Sequence, residues 1–156
     1  MDLTHLDLSL QGIAKQCNTI ATEHGFWDHE RNYGEMMALI HSEVSESLEE
    51  HRDGNPVVWY KHELGCQMAH LPFKSDMMKV TIHTSAGDLE YHCTCDPKPE
   101  GAAVELIDAM IRELDTLQDL LEKNLSSIGA RYTVDQIMLI KMSYNNRRPH
   151  KHGKAY

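Results

Sequence analysis

Glu43 and Glu46 stand three residues apart, and Glu105 and Asp108 repeat that interval further along the chain. On a helix, a step of three brings both carboxylates of a pair to one face. Two such faces set against each other make an oxygen-rich nest for a hard divalent cation, which takes carboxylates and water as ligands. A single E-x-x-E is more often a solvated acidic face, but three features argue against that here. Glu105 and Asp108 sit in an otherwise apolar helical pattern, where an unpaired carboxylate is costly. Glu50 extends the first acidic face by one turn beyond Glu46, and Arg112 brings a cation four residues after Asp108. Near the end of the chain Lys141, Asn145 and Arg148 fall at 0, +4 and +7, again one helix face. Lysine and arginine suit phosphate oxygens, and asparagine offers both donor and acceptor. Alone, that group would read as a solvated cationic helix end. Beside a metal nest it completes a site for a metal-bound polyphosphate.

Four helices are predicted to position these residues. Leu3, Leu6, Leu10, Ile13, Cys17 and Ile20 form one apolar stripe on a first helix from about Leu3 to Glu23, with Gly25 as its stop. A second helix covers Tyr33 to Arg52 and ends before the Asp53-Gly54-Asn55-Pro56 breaker. The third resumes after Pro99 and is apolar over so much of its girth (Val104, Leu106, Ile107, Met110, Ile111, Leu114, Leu117) that it should be central in a bundle. Ser126 to Tyr132 reads as a loop. Thr133-Val-Asp-Gln136 matches a capping box and opens a fourth helix through about Asn146.

Between the second and third helices the pattern changes. Residues 57–97 read as an insertion in a single domain spanning 1–156. Lys79–Thr84 and Leu89–Thr94 are β-prone and flank Ser85–Asp88, a hairpin signal, and Pro56–Tyr60 reads as a further short strand. The insertion holds His62, Cys66, His70, His83, His92, Cys93 and Cys95. Three cysteines with a histidine could hold a structural zinc ion and so support a small lobe without a core. C-x-C is not the usual knuckle spacing, however, and the sequence favours reduced thiols and surface histidines. The fold class is therefore mainly α, with four helices and one small β-containing insertion.

Composition bounds the rest. The chain has 156 residues, enough for one domain, with 41% hydrophobic and 25% charged residues, so it can bury a core. A formal charge of −9 argues against a nucleic-acid polymer as partner, since that binding depends on basic residues neutralising phosphates. The charge is uneven, because after Asp135 there are five basic residues and no acid. No apolar run approaches a membrane span, and MDLTHLDLSL lacks the features of a secretory signal, so a cytoplasmic protein without membrane contact is expected. P-loop, serine-hydrolase and ferritin-like di-iron motifs are absent.

The ordered set of acidic pairs, with its flanking strings SEVSESLEEHRDGNP and KPEGAAVELIDAMIRELD, resembles the MazG-like all-α nucleoside triphosphate pyrophosphohydrolases. Their signature is E-x-x-E on one helix and E-x-x-D on the next, here Glu43/Glu46 and Glu105/Asp108. The K-x-x-x-N-x-x-R often found near their end is matched by Lys141, Asn145 and Arg148, and Trp27 in HGFWDHERN sits where that family tends to carry a tryptophan near the nucleotide. The resemblance covers about residues 20–52 and 98–154, and the long stretch between the acidic pairs departs from it.

The resemblance implies a four-helix MazG-like bundle that cleaves a nucleoside triphosphate to the monophosphate and diphosphate. Magnesium, or manganese, would be held by Glu43, Glu46, Glu105 and Asp108, and water activated there would attack the α-phosphorus with one of the four, such as Glu46, as base. Lys141 and Arg148 would hold phosphates, Asn145 sugar or phosphate, and Trp27 would stack on the base or simply pack in the core. Relatives of this kind work as homodimers or homotetramers. A related pyrophosphohydrolase acting on phosphoribosyl-ATP or modified nucleotides, and a helical module that binds metal or nucleotide without turnover, are the alternatives.

Overall fold

Residues 9–71, 73–128 and 132–149 are described by a computed structural model of the chain. Their architecture is mainly α: α1 (Leu10–Glu23), α2 (Tyr33–Arg52), α3 (Ala102–Ile128) and α4 (Val134–Asn146), with four short strands between α2 and α3. The strands are β1 (Trp59–Lys61), β2 (Lys79–Thr84), β3 (Gly87–His92) and β4 (Lys98–Glu100). No described helix is long and apolar enough to cross a membrane. The chain divides into two compact units, the described parts of Met1–Met36 with Ile111–Tyr156, and Met37–Met110.

In the first unit α1 starts later than its apolar stripe suggests. Ser9 caps it by accepting from the Gly12 amide at 3.0 Å, so the described helix opens at Leu10; Leu3 and Leu6 lie outside the described residues. Its end follows the sequence expectation. Gly25, at φ +78°, lets the Phe26 amide reach the Ala21 carbonyl and its own amide reach Thr22, the two bonds of a Schellman stop. The Asp135 carboxylate at the start of α4 accepts from the Leu10 and Gln11 amides at 3.1 and 3.0 Å, two donors that have no partner inside α1. In return Gln11 Oε1 accepts from the Val134 amide at 2.9 Å. The capping box at Thr133 and Gln136 is formed in both directions. α3 runs on through Ile128, past Ser126 where a loop is expected from sequence.

The second unit contains the two acidic segments and the insertion. β2 and β3 pair antiparallel from Lys79↔His92 to Thr84↔Gly87, which leaves Ser85-Ala86 as a two-residue turn, tighter than Ser85–Asp88. β1 lies one to three residues later than the Pro56–Tyr60 reading and pairs antiparallel with β4, a partner the sequence does not suggest because it contains Pro99. A proline fits there because each sheet has only two strands, so one edge of β4 needs no amide donor.

Where β4 gives way to α3 the backbone crowds the connection between α2 and β1. Gly101 takes φ +115°, and a Cβ there would lie 2.7 Å from the carbonyl oxygens of both Pro56 and Val57. Ala103 donates its amide to that same Val57 carbonyl at 3.0 Å. Gly101→Ala should therefore destabilise the fold by at least about 1–3 kcal/mol from backbone strain alone, with the clash adding to that, and so lower the urea midpoint. An unchanged midpoint would show that the α2–β1 connection can move away.

Candidate metal and phosphate site

Ser47 and Gly101 set the geometry of the acidic cluster. The buried Ser47 side chain donates to the Ala102 carbonyl at 2.8 Å and ties α2 to the first turn of α3. Glu43 lies one turn before that tie on α2, and Glu105 lies one turn after Ala102 on α3. Carboxylate oxygens of Glu43, Glu46 and Glu105 consequently come within 4.8 Å of one another. Glu43 and Glu105 are buried and Glu46 is exposed.

Asp108, the fourth residue read from the sequence, is not part of this trio. It is half-buried on the same helix, and its charge still acts on the trio. Burial first, then the nearby charges of Asp108 and Glu100, push the Glu105 carboxyl up from its ordinary 4.5 to about 7, with Glu46 adding to the push and Lys98 opposing it. Lys98 sits on the rim of the cluster, 3.1 Å from Glu100. That hydrogen bond, followed by the charges of Glu100, Glu105 and Asp108, holds the ammonium above its ordinary range.

The extension of the acidic face by Glu50 is corrected by the structure. Its Oε2 accepts from the indole of Trp59 at 2.8 Å and from Asn55 Nδ2 at 2.9 Å, which makes Glu50 the anchor of the chain leaving α2. Partial burial works against its charge, but those two donors together with Lys74 and Lys98 keep the carboxyl below its usual range.

The other sequence candidates belong to the first unit. Trp27 is half-buried, and its indole N–H donates to Asp115 Oδ1 at 3.0 Å. Asp115 also accepts from Asn18 at 2.7 Å. The Arg31 guanidinium and the Lys123 ammonium approach the Trp27 ring at 6.0 and 5.3 Å from its centre. Lys141, Asn145 and Arg148 are all exposed. α4 ends at Asn146, so Arg148 lies past the helix and its face is not set by helical periodicity. Tyr144 gathers the two cations instead, with Lys141 Nζ 5.4 Å and the Arg148 guanidinium 5.9 Å from its ring centre.

A second cluster lies in the insertion, where His62, Cys66, Cys93 and Cys95 bring one donor atom each within 4.8 Å of the others. Sequence spacing argued against it. The usable signal was the placement of His62 and Cys66 before the β2–β3 hairpin and of Cys93 and Cys95 just after it, because closing the hairpin brings its two flanks together.

The chain matches no protein-family model, curated protein or solved structure.

The raised Glu105 carboxyl has a consequence for the metal-free protein. An acid whose pKa is higher in the folded state than in the unfolded state costs nothing while both forms are protonated. The cost begins once the unfolded chain ionises near 4.5, grows until the folded carboxyl ionises near 7, and then levels off. Stability in chelator should therefore fall between those pH values and fall less in Glu105→Gln. Magnesium added above pH 7 should restore part of the loss. A Glu105→Gln profile parallel to that of the unmodified chain would contradict the assignment.

Proposed function

We propose that this chain is a metal-dependent nucleoside triphosphate pyrophosphohydrolase of the MazG-like kind, converting a (deoxy)nucleoside triphosphate and water to the monophosphate and diphosphate. The observation that carries this reading is the meeting of Glu43, Glu46 and Glu105 from two helices, the acidic positions at which the resemblance expects metal ligands.

The donor set fits the group it would have to hold. Oxygens bound to magnesium at about 2.0–2.1 Å lie at most about 4.2 Å apart across the ion, so a cluster already within 4.8 Å needs only a small side-chain adjustment. A carboxyl pushed up to about 7 by burial first and by like charges second is a group a cation would stabilise. When bound, magnesium or manganese supplies charge neutralisation on the triphosphate and a more acidic water.

The chain's own side chains divide the remaining work. Glu43 and Glu105 are buried and held by their helices, so they fix the direction from which the triphosphate is met. Glu46 is the exposed member of the trio, the one able to take a proton from an incoming water, and we assign it as the base. Asp108 adds negative charge beside Glu105. Lys141 and Arg148 hold phosphate oxygens, Asn145 contacts sugar or phosphate, and Trp27 stacks on the base. Leu106, Ile107 and Met110 on α3 are about half exposed rather than central in a bundle, which supports a homodimer or homotetramer. A cytoplasmic setting goes with this substrate class.

Diphosphate release measured across a panel of nucleoside and deoxynucleoside triphosphates with magnesium tests the reading. At least one should be turned over, and Glu46→Gln and Glu105→Gln should each slow it by about 100-fold or more while the helical circular dichroism is retained. Nucleotide binding without any diphosphate would make the chain a non-catalytic module. Full rates in both variants would remove the carboxylate assignment.

A further inference from the structure

The insertion contains a second donor set of different chemistry. His62 Nδ1 lies 3.7 Å from Cys66 Sγ, 3.4 Å from Cys93 Sγ and 3.5 Å from Cys95 Sγ. The sulfurs of Cys93 and Cys95 are 3.9 Å apart. A tetrahedral zinc ion with Zn–S of about 2.3 Å and Zn–N of about 2.0–2.1 Å sets its ligands about 3.6 Å apart for N···S and about 3.8 Å for S···S. All four separations fall close to those values. They are far from the roughly 2.0 Å of a disulfide, and all four cysteines of the chain are free thiols.

The surroundings favour an ion over a cluster of hydrogen-bonded thiols. His62 turns Nδ1 toward the three sulfurs and leaves its Nε2 buried without a hydrogen-bond partner. Leaving a buried polar group unmet costs about 1–3 kcal/mol, and thiols are weak partners for the nitrogen that gains by this orientation. A metal bond at Nδ1 would offset that cost. Cys66 is 1% exposed and packs with the buried Met68 and Val80. The Thr94 amide donates to its sulfur from 3.4 Å away. Backbone amides aimed at sulfur are what a thiolate requires.

The folding problem of the insertion points the same way. Its hydrophobic core amounts to Cys66, Met68 and Val80 with a fringe of half-buried side chains. A two-stranded hairpin is marginal alone in water, and lobes of this size commonly depend on a metal or a covalent link.

We infer that His62, Cys66, Cys93 and Cys95 form a structural zinc site that fastens the β2–β3 hairpin to the segment following β1. Four protein donors close the coordination shell and leave no position for substrate, which separates this site from the oxygen cluster in role. Thiolate and imidazole donors also select zinc over magnesium, which separates the two sites in metal.

The test uses the full chain purified from zinc-supplemented medium. Elemental analysis after gel filtration should find one zinc ion per chain, and cobalt replacing it should show the thiolate charge-transfer and tetrahedral ligand-field absorption of a mixed sulfur–nitrogen site. Cys95→Ser should lose the ion, while Cys17→Ser and Glu105→Gln keep it. On the unmutated chain, stripping the ion with a chelator should make Cys66, Cys93 and Cys95 react together with an alkylating agent, a readout that does not depend on any variant folding. Absence of retained zinc, unchanged alkylation on chelation, or loss of the ion from Glu105→Gln but not Cys95→Ser would each overturn the inference.

Discussion

Carboxylates that share a small space repel one another, and the repulsion grows as water is removed from between them. Glu43 and Glu105 are buried, Glu46 joins them within 4.8 Å, and Asp108 adds its charge from the next turn. Left alone, such a cluster would push α2 and α3 apart or take up protons. What resists is placed immediately beside it. Ser47 follows Glu46 directly and bonds to Ala102, three residues before Glu105. Val57 accepts from Ala103, and Gly101 permits that approach because it carries no side chain. The strain is met by main-chain and small-residue contacts, which neither titrate nor lengthen under the same field.

Much of this scaffold is legible in the sequence because it is local. α2 has the bounds its periodicity and its Asp53–Pro56 breaker predict, and the Thr133–Gln136 capping box is decided within four residues. The E-x-x-E and E-x-x-D intervals likewise foretell which side chains share a face. Three of those four acids meet, whereas which oxygen reaches the common point is a matter of rotamer that spacing does not carry. Glu50 shows a similar limit. Its position continues the acidic face, but Trp59 and Asn55, residues of the following connection, turn its carboxylate to a structural task.

Long-range pairings were the unreadable part. β4 is three residues long with a proline in the middle, and its identity as a strand comes entirely from Trp59–Lys61, which lie beyond the whole hairpin. The Cys and His cluster was obscured for the same reason. Its members are assembled by hairpin closure rather than by a short knuckle, so a spacing rule derived from knuckles counts against it. The bonds that the first amides of α1 make to Asp135 are contacts of this kind as well.

The β1–β4 ladder connects these observations within the second unit. At one end Trp59 pairs with Glu100, next to the Glu50 anchor and one residue before Gly101; at the other Lys61 pairs with Lys98. His62 follows that far end directly, and Cys95 precedes it by three residues. A ladder of three residue pairs has little stability of its own. It is therefore held at the near end by the ties around Gly101 and at the far end by whatever joins His62 to Cys95. If that junction is a metal bond, the position of Gly101, and with it the first turn of α3 that carries Glu105, is set from both sides. The insertion then has a physical reason to lie between the two acidic helices: it closes the loop that keeps four mutually repelling carboxylates in register, without contributing a ligand to them.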